Sequence, residues 1–402
     1  MKRPFLLRYL LRYLLLYALL NALLSGCAST SSQPAAELAA LFDDATFPAP
    51  AAPADAANLF TLSAPMRAHL DSPAFKASLR EKGAARGLVS ALYSKSDLQL
   101  DYDASVTRTA AQTYAARSGN CLSLVIMTAA FARALGMEVR FASVQAEETW
   151  HRNGSLYLVS SHVNIALAPR TAGVHTVSTH AEPLVIDFLA PKDAARLPST
   201  ELGEDDIVAL YMNNRAVEEL VAGRIADAYW WARAAILKRP SSLAAYNTLA
   251  VVYARNGRPP MAERVYRAAL AREPDSLVVM QNLAQALDGN GKHDEAQALL
   301  RRIERLHPAP PYHWFNQGMT AYKAGKMRDA KKLFAREVAR APYNDEFHFW
   351  LGVAYLGLGE EEAAVKELAL ARDTSTRIDA RERYAAKLGR LRASLPGSPQ
   401  VR

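Results

Sequence analysis

Apolar and polar positions follow three rhythms along this chain. Residues 9–24 form a nearly unbroken apolar run, interrupted by Arg12. Short helical periodicities then occupy residues 59–118, at Met66–Leu70, Phe75–Lys82, Leu88–Tyr93 and Thr107–Ala116. They lead into Leu122–Leu135, apolar on nearly every side and stopped by Gly136, which predicts a central buried helix. Beyond it the period falls to two. Glu138–Val144, Tyr157–Val159, His162–Leu167 and Pro183–Phe188 predict strands, with a turn at His151–Gly154. From about residue 209 the pattern repeats every 34 residues: Gly223, Gly257, Gly291, Gly325 and Gly359; Ala228, Ala262, Ala296, Ala330 and Ala364; Pro240, Pro274, Pro308 and Pro342. Glycine permits a tight turn between two helices, alanine lets them approach closely, and proline ends the second helix.

Composition adds two bounds. At 402 residues, half of them hydrophobic, the chain is large enough for two or three domains with real cores. Its net charge of +8 includes Lys2, Arg3, Arg8 and Arg12, all within the first 26 residues, and no basic stripe with interleaved aromatics exists elsewhere. Nucleic acid is therefore not an expected partner. No Walker-type glycine loop occurs, and Cys121 has no neighbouring metal-ligand spacing, so neither a metal nor a cofactor is expected.

Leu24-Ser25-Gly26-Cys27 behind the basic apolar run resembles a bacterial lipobox. The resemblance implies a signal peptide over 1–26, lipid on Cys27, and, with Ala28 rather than aspartate next, an outer-membrane lipoprotein facing the periplasm. Residues 27–58, rich in Ala, Pro, Ser and Thr, read as a flexible tether. A lipidated Cys27 leaves Cys121 as the sole thiol.

The 34-residue periodicity resembles tetratricopeptide repeats, about five of them over 201–378, with a cap helix and tail over 379–402. The first unit departs from the pattern at Arg215, Glu219 and Ala232, which suits an end repeat packed on a preceding domain. Such arrays bind peptides or proteins along a concave groove. Asn213, Asn247, Gln281, Phe315 and Phe349 share one position in this register and are expected to face it.

Residues 59–200 carry the candidate chemistry. Cys121 follows Gly119-Asn120 at the start of the apolar helix, where free N–H groups and the macrodipole favour a thiolate. His162 lies on a strand, and Asp187 on the next. A thiolate nucleophile, an imidazole acid–base and an orienting carboxylate form a complete set for acyl transfer. Their order, with Gly-Asn-Cys-Leu-Ser-Leu, His-Val-Asn and Ile-Asp-Phe, resembles the transglutaminase-like, papain-related thiol domains, in particular a bacterial lipoprotein branch that also carries tetratricopeptide repeats. That resemblance implies an α+β thiol domain followed by an all-α solenoid, with Cys121 as nucleophile, His162 as base and acid, and Asp187 as orienter. Asn164 departs from it, standing where an aromatic residue is common. For the oxyanion, the Cys121 N–H is the first expected donor, with Gln112 and Tyr114 as candidates for the second. His151, His175 and His180 fall in turn-like or loop-like stretches and are poorer candidates for the catalytic histidine. The expected activity is hydrolysis of a peptide or amide bond; the alternative is a catalytically silent fold serving as a tethered adaptor.

Overall fold

The computed structural model describes residues 33–50, 52–93, 98, 100–153, 156–169, 183–188 and 199–394. Cys27 and the expected signal peptide lie outside the described residues, as do His175 and His180 and the side chain of His151. No described helix is long and apolar enough to cross a membrane.

The described residues up to Pro48 belong to a unit of their own. Within it, α1 (Gln33–Ala39) precedes a single 3-10 turn at Asp44–Thr46, where the Thr46 hydroxyl donates to Asp43 at 2.6 Å. Leu41 and Phe47 are buried, and the stretch expected to be a tether carries this short helix and turn among its described residues.

The second unit begins at Ala49. Helices α2 (Ala64–Asp71), α3 (Pro73–Lys82) and α4 (Ala84–Tyr93) come first. Ser63 and Ser72 cap α2 and α3, accepting from the Met66 and Phe75 N–H groups, with proline in each first turn. Strand β1 (Asp101–Tyr102) pairs in parallel with β2 (Ser118–Gly119), bracketing α5 (Ala110–Ala116). Next comes α6 (Cys121–Ala134), in which every residue from 122 to 132 is buried. Gly136, at φ 74°, turns the chain into the sheet.

That sheet is antiparallel throughout, in the order β5-β4-β3-β6: β3 (Met137–Asn153), β4 (Leu156–Pro169), β5 (Leu184–Ile186) and β6 (Ser199–Leu202). The expected turn at His151–Gly154 is instead strand through Asn153, paired with Leu156. Phe141, Val163, Ile165, Leu167 and Ile186 form the sheet's buried face, and α6 packs against β3 and β4. A helix apolar on all sides needs cover on all sides; the sheet and the helices α4, α5 and α7 that contact it provide this.

Ten helices then pair as hairpins: α7 (Glu204–Val221) with α8 (Ile225–Lys238), α9 (Leu243–Arg255) with α10 (Pro259–Arg272), and α11 (Leu277–Gly289) with α12 (His293–Leu306). After these, α13 (His313–Lys323) pairs with α14 (Met327–Arg340), and α15 (Asp345–Gly357) with α16 (Glu361–Thr374). Helix α17 (Ile378–Ser394) closes the array. The five periodic glycines all have positive φ, from 67° to 78°, the conformation that makes each inter-helix turn. The five periodic alanines are fully or almost fully buried.

Candidate functional site

The start of α6 is built by three successive residues. Gly119 has no room for a side chain, since a Cβ there would meet the Ser123 Cβ at 2.7 Å. Asn120 caps the helix: its Oδ1 accepts from the Ser123 N–H at 2.9 Å and hydroxyl at 2.8 Å, while its Nδ2 donates to the Thr107 hydroxyl at 2.7 Å. Cys121 follows with part of its surface open.

Around the thiol stand the N–H groups of Leu122 and Val163 and the hydroxyl of Tyr102. Burial pushes the thiol's pKa up and Asp187's charge adds to this, while those three donors pull it down. The net displacement is upward, against the expectation from the helix start alone: the site must desolvate a thiolate as well as stabilise it. Burial, and then the adjoining thiol, hold the Tyr102 phenol well above its ordinary pKa, so it remains a donor.

His162 and Asp187 meet through a hydrogen bond between Nε2 and Oδ1. The sheet explains it. Ile165 pairs with Ile186, so antiparallel register brings Asp187 opposite Asn164, on the face that His162 shares and diagonal to it. Asp187 sits just past β5 rather than on it. With Nε2 engaged, Nδ1 is the nitrogen left for other chemistry. Cys121 adjoins this pair through the Val163 N–H, one residue beyond the imidazole, and not through a thiol–imidazole hydrogen bond among the described contacts.

The two side chains considered for the oxyanion are engaged elsewhere. Gln112 completes a capping box with Thr109 at the exposed start of α5. Tyr114 packs edge-on against Phe131 and His69, beneath the Arg117 guanidinium. Tyr102 is the phenol at the thiol, and a two-residue strand offers no periodic signal by which the sequence betrays it.

Tyr102 belongs to a heavily tied segment. The Asp103 N–H donates to the Gly119 carbonyl at 3.1 Å, and the Arg108 N–H to the Ser123 hydroxyl at 2.8 Å. Asp103, 3% exposed, accepts from Ser105 N–H and hydroxyl and pairs with Arg108; burial would raise its pKa, but these partners bring it below the usual value. The repeat array holds the same segment from two directions. At its start, Glu218 on α7 accepts from the Thr107 N–H at 2.6 Å, itself steadied by Arg215 at 2.5 Å; Arg215 also donates to Glu219 at 2.8 Å, so both polar departures of the first repeat belong to this cluster. At its far end, the Thr376 carbonyl accepts from the Ala104 N–H at 2.9 Å and Arg381 on α17 donates to the Tyr102 carbonyl at 3.4 Å.

The five positions expected to line a groove do not behave alike. Asn213 is buried on α7, its Oδ1 without a described partner. Asn247 accepts from Asn282 Nδ2 at 2.9 Å, and Gln281 next to it has a buried Oε1 lacking a described partner. Phe315 is instead core, fully buried among Tyr312, Phe334 and Phe347. Pro308-Ala309-Pro310-Pro311 delays α13 to His313, with Tyr312 at φ 66°, and the same register position is also buried in α7 and α9, at Asn213 and Asn247. Phe349 stacks on Tyr384 of α17, so the cap covers it.

Comparison with known proteins bears on this second half. Two family models described as tetratricopeptide repeat match residues 253–314 and 315–376. No curated protein matches the chain. Among solved structures, a thermophilic TPR protein of Thermus thermophilus is 22% identical over 45% of this chain and 98% of its own, with a TM-score of 0.32. YrrB, a TPR protein with an unusual peptide-binding site, is 21% identical over 44% of this chain and 92% of its own (TM-score 0.24). PilF of Pseudomonas aeruginosa is 20% identical over 48% and 96% (TM-score 0.30). The helix-hairpin array that follows the α+β region is built of tetratricopeptide repeats.

Proposed function

We propose that the chain is a thiol-dependent acyl-transfer enzyme of the transglutaminase-like, papain-related kind, hydrolysing an amide or peptide bond, whose tetratricopeptide repeats bind a protein or peptide. The observation that carries this reading is the His162–Asp187 hydrogen bond, made on the strand whose next N–H reaches the Cys121 thiol. A cysteine buried for packing alone has no use for a carboxylate-oriented imidazole beside it.

The steps follow from the atoms available. Asp187 fixes the imidazole with Nε2–H toward itself, leaving the Nδ1 lone pair to take the thiol proton as substrate closes the remaining distance; such bonds commonly tighten only in the substrate complex. The thiolate adds to the acyl carbon, forming the C–S bond. The resulting oxyanion meets the Cys121 N–H, which leaves the Tyr102 hydroxyl oxygen to take it up. Collapse breaks the C–N bond as the imidazolium returns its proton to the departing amine. Water then attacks the thioester carbon, giving a proton to Nδ1; the C–S bond breaks, the carboxylic acid leaves, and the imidazolium returns its proton to the freed thiolate.

The raised thiol favours a second reading, a silent fold serving as an adaptor, since an unreactive buried cysteine has the same signature. One experiment separates them. In the full chain carrying Cys27→Ser, Cys121 is the only thiol, and its alkylation by iodoacetamide is followed by mass spectrometry between pH 5 and 9. An enzyme labels at pH 6–7 and loses this reactivity in His162→Ala. Labelling that starts only above about pH 8.5 and ignores His162 is the behaviour of an ordinary cysteine and defeats the enzymatic reading.

We further propose that Cys27 carries lipid and holds the protein on the periplasmic face of the outer membrane. Cys27→Ser then moves the protein from the membrane to the soluble fraction; retention on the membrane contradicts the anchor.

A further inference from the structure

We infer that Tyr102 is a positioning residue through which the repeat array sets the state of the Cys121 thiol, with the segment 101–108 as the strut between them. This rests on the proposed nucleophile but is tested apart from it.

The strut touches the site on one side and the array on the other. Towards the site, Asp101 and Asp103 bond the carbonyls of Arg117 and Gly119 at 2.9 and 3.1 Å, laying β1 along the two residues that precede the Asn120 cap. Tyr102 lies between them, its hydroxyl on the Cys121 sulfur. Towards the array, the backbone of Tyr102 and Ala104 is bonded by Arg381 and Thr376, and Thr107 by Glu218. These partners come from α7, the first repeat helix, and from α17 with the turn before it, the last. The strut thus spans the array's two ends.

An array that opens or closes changes the separation of its ends far more than any contact within one repeat. A ligand spanning several repeats changes that separation when it binds, and the Tyr102 backbone moves with it. The hydroxyl at the other end of the same residue then loses or regains its place on the sulfur. Because this hydroxyl donates to the thiolate, a gripped strut favours the reactive form and a released one withdraws it. The charged and titratable groups that act on the thiol are Tyr102 from β1 and Asp187 after β5, the latter bonded to His162 of β4; among these, only Tyr102 is bonded to the array in the described contacts.

The test is a double-mutant cycle on the full Cys27→Ser chain, reading the pH midpoint of Cys121 alkylation. Tyr102→Phe keeps the ring and removes the donor, and raises the midpoint by about one unit. Arg381→Ala combined with Glu218→Ala loosens the grip and raises it in the same direction, while Lys331→Ala, an ion-pair partner of Glu360 away from the strut, leaves it unchanged. Added to Tyr102→Phe, the two array substitutions cause no further shift. The inference is overturned if the array substitutions leave the midpoint alone, if their shift persists without the Tyr102 hydroxyl, or if Tyr102→Phe has no effect. Dependence on His162 is read in the same assay, so loss of the enzymatic reading is seen separately.

Discussion

Asn120 offers the sharpest test of how the α6 start is held. It is 8% exposed and makes three side-chain hydrogen bonds, two accepted from Ser123 and one donated to Thr107. Asn120→Ala removes an N-cap, worth about 1 kcal/mol. It also strips a partner from the Ser123 and Thr107 hydroxyls, 0% and 2% exposed, at about 1 kcal/mol each. The total, about 3 kcal/mol, corresponds to a rise of about 100-fold in the opening of this helix. Asn120→Asp keeps the acceptor and places an anion at a helix N-terminus, and the Thr107 hydroxyl can rotate to donate; its cost is about 1 kcal/mol. Hydrogen exchange of the peptide spanning residues 122–132 reads both, because these amides are protected by the buried helix itself. Parent-like protection in Asn120→Ala, or equal losses in the two variants, would refute the assignment of this stability to the capping network.

Two further outcomes concern the repeats. Glu337 is 0% exposed, accepts from the Phe315 N–H at 3.0 Å and pairs with Arg340. Glu337→Ala should therefore lower urea stability of the array by about 3–5 kcal/mol, with Glu337→Gln recovering a large part by keeping an acceptor, and equal effects of the two contradict this. His348 is buried with Nδ1 on Glu367 at 2.7 Å and Nε2 on the Pro342 carbonyl at 2.9 Å; burial disfavours its charge, but these acceptors prevail and raise its pKa above 6.5. A raised folded pKa gives stability that is complete below about pH 6.5 and lost as pH climbs through the folded value. Amide protection in α15 and α16 should accordingly fall between pH 6 and 9 once intrinsic exchange rates are corrected for, and His348→Gln should abolish that fall.

Legibility in the sequence varied with the range of the interactions responsible. The glycine–alanine–proline register fixed the five hairpins because each landmark answers a local demand: a positive φ at Gly257 or Gly325, a close helix crossing at Ala262 or Ala330. The central helix and its flanking strands were equally plain, since a change of apolar period marks them. His162 and Asp187 were legible as types in order, and the sheet register brings them together. What escaped was non-local. Tyr102 reaches the thiol by way of a two-residue parallel ladder, and nothing near it in sequence signals Gly119 as its partner. Phe315 kept its place in the 34-residue count, yet that position is buried in α7, α9 and α13 alike, so the count alone does not mark a groove.

The bond from Ala104 to Thr376 also bears on how the molecule comes to be made. Tetratricopeptide arrays ordinarily assemble from neighbour to neighbour, so early repeats fold while later ones are still being synthesised. Here a segment near the front of the chain waits for a partner more than 270 residues later, the longest kind of loop closure among the described contacts. Sequence separation of that order slows folding and makes it more concerted. A chain truncated before Thr376 loses the bonds from Thr376 and Arg381 and leaves the segment beside Cys121 held, among the described contacts, only from α7, β2 and α6.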